Sequence, residues 1–180
     1  IKMLAVVDDR LVVEEKGIYS IEKFIVARRL MYWQVYLHRT VLSAEHMLML
    51  TLKRAKDLSK NGEVLFASPA LSTFLQNDYD KVSFANTEGV LDKFCDLDDS
   101  DIYNAMKAWR LHPDKVLSDL SSRLLDRKLF RIELRTKEFS KSDIDERIKT
   151  LMDIWSLSEE EANYYVSSGS VYLSLIHISE

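Results

Sequence analysis

Glycine and proline are scarce in this chain of 180 residues, with only 4 and 2 occurrences. Both counts lie well below the usual shares of about 7% and 5%. Turn-dense β-sandwiches and barrels need many such residues, so their scarcity argues against those folds and favours long helices. Hydrophobic residues make up 47% of the chain and charged residues 30%, a balance that allows a buried core. We therefore predict a mostly α-helical protein.

Cysteine is nearly absent too, since Cys95 is the single one in the sequence. One cysteine excludes an internal disulfide framework, a cysteine zinc cluster and CxxC redox chemistry, and it is typical of a reducing compartment. We expect a cytoplasmic protein with no membrane partner, because no apolar run approaches the roughly 20 residues that span a bilayer. The net charge of -4 makes nucleic acid an unfavourable partner, although a local basic face stays possible.

The common catalytic motifs are also missing. The sequence has no GxxxxGK[ST], GxGxxG or GxSxG, so neither a phosphate loop nor a nucleophile elbow is predicted. No histidine is followed by aspartate or lies in an HExxH frame, which leaves no recognisable set of metal ligands. The four histidines are His38, His46, His112 and His177. We therefore predict no catalytic residue and no metal ligand in this chain.

The chain opens with two β-prone runs, Met3 to Val7 and Arg10 to Glu14, on either side of the pair Asp8-Asp9. Aspartate tolerates the backbone of tight turns, so this pattern predicts a β-hairpin. The run from Ile1 to Val7 is already apolar with no polar lead-in, which predicts that the sequence starts inside a domain.

A long stretch without glycine or proline follows, from Ile18 to about Ala55. Its apolar residues recur at steps of three, four and seven, the spacing of helical faces. The pattern predicts either one long helix or two stacked helices with a break near His38 to Thr40.

Shorter helices are predicted further along the chain. Ser68-Pro69 opens one, Thr87 is a candidate cap before Val90, and Pro113 starts another. We also predict helices at these positions: Asp98 to Arg110, Ser142 to Leu157 and Ser158 to Val166. The alternation in Leu129 to Leu134 predicts a half-buried strand, so we expect one or two short strands beyond the hairpin. No linker or repeat interrupts residues 1–172, which we interpret as a single α-rich unit.

The last residues, 173–180, read LSLIHISE and resemble a translated sequencing adapter. We predict that they are not native and leave them out of the fold. The alternative is a final β-strand in which Val171, Leu173 and Leu175 line one face.

Two clusters of polar residues invite a functional interpretation. Acidic residues crowd before the predicted helix at Asp98, and such clusters usually cap a helix and complement its dipole. A second cluster places Arg28, Tyr32 and Tyr36 at helical steps of four, with Arg39 three residues further on. Guanidinium groups donate charge-assisted hydrogen bonds to phosphate, and tyrosine rings pack against sugars or bases. This stripe either binds a nucleotide or forms a tyrosine-rich packing surface.

Residues Asp9 to Leu58 resemble the segment after the catalytic core in HD-domain phosphohydrolases of the deoxynucleoside triphosphate triphosphohydrolase (dGTPase-like) type. The likeness rests on the hairpin, the helix start GIYSIEKF and the run ARRLMYWQVYLHRTVLSAEHML. It continues more weakly through Leu97 to Ile102 and Ser122 to Arg131. The resemblance implies a helical C-terminal part that lacks the HD motif.

The resemblance also implies roles for particular residues. Arg28 matches a phosphate-contacting arginine and Tyr36 a tyrosine near the nucleoside, while Tyr32 stands where triphosphohydrolases carry histidine. His38 and Arg39 match a pair at a subunit contact and allosteric nucleotide site, so a homo-oligomer is expected. The family hydrolyses nucleoside triphosphates or related phosphate esters with a divalent metal, whose ligands precede this segment. This chain alone is then expected to be inactive and to bind no metal; the alternative is a non-enzymatic α-helical interaction module.

Overall fold

A computed structural model describes residues 3–135 and 137–169 of the chain. The adapter-like segment 173–180, the alternative strand with Val171, Leu173 and Leu175, and His177 lie outside the described residues. Within the described part, contacts separate residues 3–42 from residues 43–169. The single unit predicted for residues 1–172 stays a prediction.

The first unit begins with the predicted β-hairpin. Strands β1 (Leu4–Val7) and β2 (Arg10–Val13) pair antiparallel, with Val7 opposite Arg10. Asp8 and Asp9 have φ angles of 50° and 59°, the left-handed turn conformation that aspartate tolerates better than most residues. The sequence prediction of the hairpin is therefore confirmed.

The long apolar stretch after the hairpin is broken near the predicted place. Helix α1 (Ile18–Met31) leads into a π-helical turn over Tyr32–Tyr36, and α2 (Arg39–Lys60) starts after Leu37 and His38. Of the two alternatives left open by the sequence, the structure has two helices. The π-helical turn carries no signal in the hydrophobic spacing, and the sequence did not predict it.

The second unit, residues 43–169, is built from the remainder of α2 and seven further helices. These are α3 (Pro69–Gln76), α4 (Lys81–Asn86), α5 (Val90–Cys95), α6 (Asp99–Trp109), α7 (Lys115–Leu125), α8 (Lys141–Trp155) and α9 (Glu159–Ala162). The mostly helical fold with an N-terminal hairpin is confirmed. In the part that the structure describes, no helix combines the length and apolar character needed to cross a membrane.

Side-chain caps fix where several of these helices begin. Ser68 caps α3 ahead of Pro69, as the sequence predicted. Asp98 accepts hydrogen bonds from the Ser100 and Asp101 backbone N–H groups, while the Asp101 carboxylate accepts one from the Asp98 N–H. The hydrogen bond from the Asp98 N–H lowers the pKa of Asp101. The acidic cluster is thus a capping box, which confirms its structural interpretation.

Some predicted boundaries are wrong. Thr87 does not cap α5; the residue before α5 is Gly89, whose φ of 74° is left-handed. Helix α7 starts at Lys115 and not at Pro113, because the Asp114 side chain accepts from the Leu117 N–H and sets the first turn. The last predicted helix is shorter than expected and ends at Ala162. Helix α4 was not predicted at all.

The predicted strand from Leu129 to Leu134 is also wrong. Among the described residues this segment has no strand partner, since the only pairing joins β1 and β2. Two α2 side chains meet its backbone instead: the Ser43 hydroxyl donates to the Phe130 carbonyl at 2.7 Å, and the Phe130 N–H lies 3.2 Å from the Met47 sulfur. The alternation correctly marked Phe130 as half-buried, but the backbone bonds go to a helix.

The core of residues 43–169 has two neighbouring clusters that share α2 and α7. One gathers buried apolar side chains of α2, α3, α6 and α7 around Trp109, whose indole N–H donates to the Phe66 carbonyl at 3.0 Å. The other packs Met47, Val116, Leu120 and Tyr164 together. Helix α7 supplies both clusters because Val116, Leu117 and Leu120 are fully buried, as their helical spacing predicts.

A polar network ties α2 to the start of α7 and to the segment after α9. Arg54 on α2 makes a bidentate contact with Asp114, at 2.7 and 3.2 Å, and both side chains are only 13–14% exposed. The Arg54 guanidinium also lies over the Tyr164 ring at 5.3 Å. The Tyr164 hydroxyl donates to the Asp57 carboxylate at 2.7 Å. Burial, together with the hydrogen bond to Asp57, raises the pKa of Tyr164 to about 12.

The buried arginine should matter more for stability than an exposed one with the same partner distance. Arg54→Met leaves Asp114 buried without its cation, and we expect it to lower the free energy of unfolding by about 3 kcal/mol. The control is Arg147→Met, because Arg147 meets Glu133 at the same 2.7 Å while 53% exposed, and there we expect less than about 1 kcal/mol. Urea unfolding of both variants measures the difference; equal losses would contradict this assignment.

Acid should weaken the same network. Burial alone would raise the pKa of Asp114, but the Arg54 guanidinium and the Leu117 N–H outweigh burial and hold that pKa below the ordinary value of 3.8. A carboxyl group whose pKa is lower in the folded state stabilises the fold at pH values above its pKa in the unfolded state. This stabilisation is lost as the pH falls through its pKa in the folded state. We expect the free energy of unfolding to drop from about pH 6 to about pH 3, and to drop less in Arg54→Met. If Arg54→Met lost stability with falling pH as steeply as the parental chain, the Arg54 and Asp114 pair would not be the cause of the pH dependence.

Candidate functional site

The residues that the sequence singled out all lie in the first unit, around the junction of α1 and α2. Arg28 is near the end of α1, and Tyr32 and Tyr36 are the first and last residues of the π-helical turn. His38 and Arg39 come next, at the start of α2. The structure thus keeps the five candidates within one short stretch, although not on one continuous helix.

Arg28, Tyr32 and Tyr36 contact one another in series. The Arg28 guanidinium carbon lies 5.7 Å from the centre of the Tyr32 ring, a cation–π distance. The Tyr32 and Tyr36 rings have centres 5.0 Å apart and are tilted by 47°. Tyr32 is half-buried, whereas Arg28 and Tyr36 are exposed. The stripe predicted from helical spacing therefore exists for these three residues, and we call it the Arg28–Tyr36 row.

Arg39 does not continue the row as the sequence predicted. The helix that carries Arg28 ends at Met31, and Leu37 leaves helical geometry with φ -96° and ψ 13°. Arg39 therefore belongs to a new helix and makes no ion pair among the described residues.

His38 takes part in starting α2. Its Nδ1 accepts from the Thr40 backbone N–H at 3.3 Å, and its carbonyl accepts from the Leu42 N–H at 3.1 Å. The imidazole thus acts as an N-terminal cap, satisfying a donor that the helix leaves free. This contact gives His38 a structural role in the unit, and the allosteric or subunit role stays a prediction.

The stretch around the Arg28–Tyr36 row carries a local positive charge. Between Glu22 and Glu45 the sequence has four cationic residues and no acidic one, in a chain with a net charge of -4. Arg28, Tyr32 and Tyr36 make no side-chain hydrogen bond or ion pair to any other residue in 3–135 or 137–169. Exposed guanidinium groups without a carboxylate partner are free to meet an anion.

Residues 3–42 also bury very little. Within them Gly17 alone is buried. Helix α1 has no buried residue, although its own apolar side chains lie on every side of the helix. Its exposed apolar residues include Ile18, Ile21, Phe24, Ile25, Val26, Leu30 and Met31. A helix that is apolar all round is normally covered on every side, so this surface is suited to packing against further protein.

Sequence reasoning missed the polar groups that pair in the second unit. The Ser167 hydroxyl meets His46 Nε2, and Arg54 pairs with Asp114 across 60 positions. No carboxylate completes the Ser167 and His46 pair among the described residues, so it lacks the third member of a catalytic triad. Helical spacing could not have found either pair, because their partners are distant in the sequence.

The divalent metal implied by the family resemblance finds no site in the described ranges. No three His, Cys, Asp or Glu side chains in 3–135 and 137–169 lie together in a way that could hold a metal ion. The described residues therefore do not fit the metal.

The chain is similar to several known proteins. Residues 1–67 match the family model described as HD associated region. The chain is 31% identical over 162 residues to YwfO, an uncharacterized protein of Bacillus subtilis (strain 168), covering 88% of this chain and 34% of that protein. A crystal structure of a phosphohydrolase from Bacteroides thetaiotaomicron VPI-5482 matches with a TM-score of 0.91 and 50% identity, over 95% of this chain and 43% of that one.

The match to an HD associated region and the likeness to a solved phosphohydrolase agree with the coarser part of the resemblance stated from the sequence. The family-model match covers the hairpin, α1, the π-helical turn and α2, so it includes every candidate site residue. The chain spans about a third of the length of YwfO and less than half of the solved phosphohydrolase. The activity, substrate and partners of the whole protein are therefore matters of proposal.

The uncovered apolar surface of α1 should promote association of the chain in isolation. Phe24 is 63% exposed among other apolar residues of α1, so Phe24→Lys should reduce concentration-dependent association by breaking that surface. Val64→Lys is the control, since Val64 is 97% exposed in the other unit and its change should have little effect. Sedimentation velocity over a concentration series measures both. A monodisperse parental chain would contradict the expectation.

Proposed function

We propose that this chain is the C-terminal part of a metal-dependent HD phosphohydrolase that acts on deoxynucleoside triphosphates or related phosphate esters. In this proposal the chain contributes substrate-side contacts and oligomer contacts, and the metal site lies outside it. The single observation that carries the proposal is the Arg28–Tyr36 row within the stretch that matches the HD associated region: a cation with no carboxylate partner among the described residues, beside two phenol rings.

The chemistry of the row fits the two ends of a nucleotide. Arg28 offers planar donors to phosphate oxygens, and no carboxylate competes for it among the described residues. Tyr36 is 50% exposed and can place its ring against a sugar or base. The cationic stretch between Glu22 and Glu45 favours a polyanion such as a triphosphate over an uncharged nucleoside. We assign phosphate contact to Arg28 and nucleoside contact to Tyr36.

His38 and Arg39 are proposed to contact a neighbouring subunit or a regulatory nucleotide. Arg39 is exposed and has no ion-pair partner in the described ranges, which leaves its guanidinium available. The exposed apolar surface of α1 supports an oligomer or a larger protein in which this surface is covered. We propose a homo-oligomeric, cytoplasmic enzyme for the whole protein.

A second candidate function is a non-enzymatic helical interaction module. The observation that favours it is the same uncovered surface of α1, because exposed apolar helices are recognised by grooves in partner proteins. The two functions differ in what they require of Arg28. A nucleotide site needs its charge, whereas a packing helix tolerates its loss.

Nucleotide binding by the chain separates these functions. We expect weak, saturable dGTP binding that Arg28→Ala lowers about tenfold, the equivalent of about 1.4 kcal/mol for a charge-assisted contact. Arg29→Ala is the matched control: Arg29 is the adjacent exposed arginine of α1, outside the Arg28–Tyr36 row, and should keep parental affinity. Tyr36→Ala should change the preference among dGTP, dATP and deoxyguanosine more than Arg28→Ala does.

Calorimetric titration measures these affinities, with unfolding midpoints recorded for each variant. If Arg28→Ala and Arg29→Ala lost the same affinity for dGTP, the loss would reflect net charge alone. Arg28 would then have no specific role in phosphate contact. The chain by itself should release no triphosphate or phosphate from dGTP in the presence of manganese, because a metal site is expected only in the longer protein. Metal-dependent turnover above that of an unrelated control protein would overturn that part of the proposal.

A further inference from the structure

The π-helical turn interrupts the helical stretch of the first unit, and it includes two residues of the proposed site. The Leu37 N–H donates to the Tyr32 carbonyl at 2.8 Å, which closes a ring one residue wider than in an α-helix. Such single turns interrupt the regular hydrogen-bond ladder and occur often at functional sites. Here the turn begins at Tyr32 and ends at Tyr36, so it sets the spacing of the two phenol rings.

Tyr32 occupies the middle of the Arg28–Tyr36 row. Its ring faces the Arg28 guanidinium at 5.7 Å and the Tyr36 ring at 5.0 Å. The Tyr32 hydroxyl makes no hydrogen bond within the described residues, so the contacts that define its position are made by the ring. Tyr32 is also the least exposed of the three, which suits a residue that supports its neighbours.

An exposed arginine without such support would sample many rotamers. A ring beneath the guanidinium restricts those rotamers before a ligand arrives, and this lowers the entropy lost on binding. The same ring limits where Tyr36 can lie. One half-buried side chain therefore restrains both proposed contacts at once.

We infer that Tyr32 is a positioning residue that holds Arg28 and Tyr36 in a fixed relation through its ring face, and not a group that contacts the nucleotide by its hydroxyl. The inference rests on the proposed function for its ligand. Its geometric part concerns only the three side chains. It replaces the direct substrate contact predicted for Tyr32 from the sequence.

The geometric part can be measured in the full chain without any ligand. The Arg28 side-chain Nε–H signal, assigned by its loss in Arg28→Lys, should be shifted by the ring current of Tyr32. We expect Tyr32→Phe to keep that shift and Tyr32→Leu to move the signal toward the value of a free arginine. Trp33→Leu is the matched control, because Trp33 is an exposed aromatic residue of the same turn that lies outside the row.

The ligand part uses dGTP as the probe. Tyr32→Phe should bind with parental affinity and Tyr32→Leu about threefold to tenfold more weakly, the loss expected for removing a cation–π support. A parental Arg28 signal and parental dGTP affinity in Tyr32→Leu would overturn the inference. Weakened binding in Tyr32→Phe would overturn it as well, since the hydroxyl would then be the active group.

Failure of the proposed function would give a different result. If the parental chain bound no dGTP while the Arg28 signal still depended on the Tyr32 ring, the nucleotide assignment would fall and the positioning role would stand. If Tyr32→Leu lost its native amide spectrum, the folded variants Tyr32→Phe and Trp33→Leu would show which ring shifts the Arg28 signal. A ring-current shift lost in Trp33→Leu and kept in Tyr32→Phe would assign the support to the wrong ring and overturn the inference.

Discussion

The main physical constraint on this protein is the exposed apolar surface of α1. This helix has apolar residues on every side, yet within residues 3–42 Gly17 alone is buried. Ordering residues 3–42 costs conformational entropy, and so little burial cannot offset it within that unit. We propose that the apolar side chains of α1 pack against another protein surface. The same stretch leaves Arg28 and Tyr36 exposed, so packing and ligand contact are demanded of one short segment.

Residues 43–169, by contrast, bury a core of their own. Two apolar clusters share α7, and the ion pair of Arg54 and Asp114 joins α2 to the start of α7. Five of its seven arginines lie beside carboxylates: Arg54, Arg110, Arg123, Arg135 and Arg147. The three arginines of the 23–44 stretch, by contrast, make no ion pair within residues 3–135 and 137–169. This difference, together with the HD associated region match, is why the proposed site lies there.

The features that could be predicted from the sequence are those with local causes. The Asp8-Asp9 turn, the Ser68 cap and the Asp98 capping box each depend on residues within a few positions, and all three were found. The Leu129 to Leu134 strand failed because its backbone bonds go to Ser43 and Met47, which are more than 80 positions away. The π-helical turn was missed because α-helical spacing already places Tyr32 and Tyr36 on one face, so the pattern does not reveal an extra residue.

The central claim is that a nucleotide binds at the junction of α1 and α2. Amide hydrogen exchange of the full chain, followed with and without saturating dGTP, tests it most directly because it reports on every segment at once. The account predicts slower exchange confined to the peptides that cover Arg28 to Arg39, with no change in residues 43–169. Protection confined to the second unit, or no protection at a dGTP concentration that saturates binding, would contradict it.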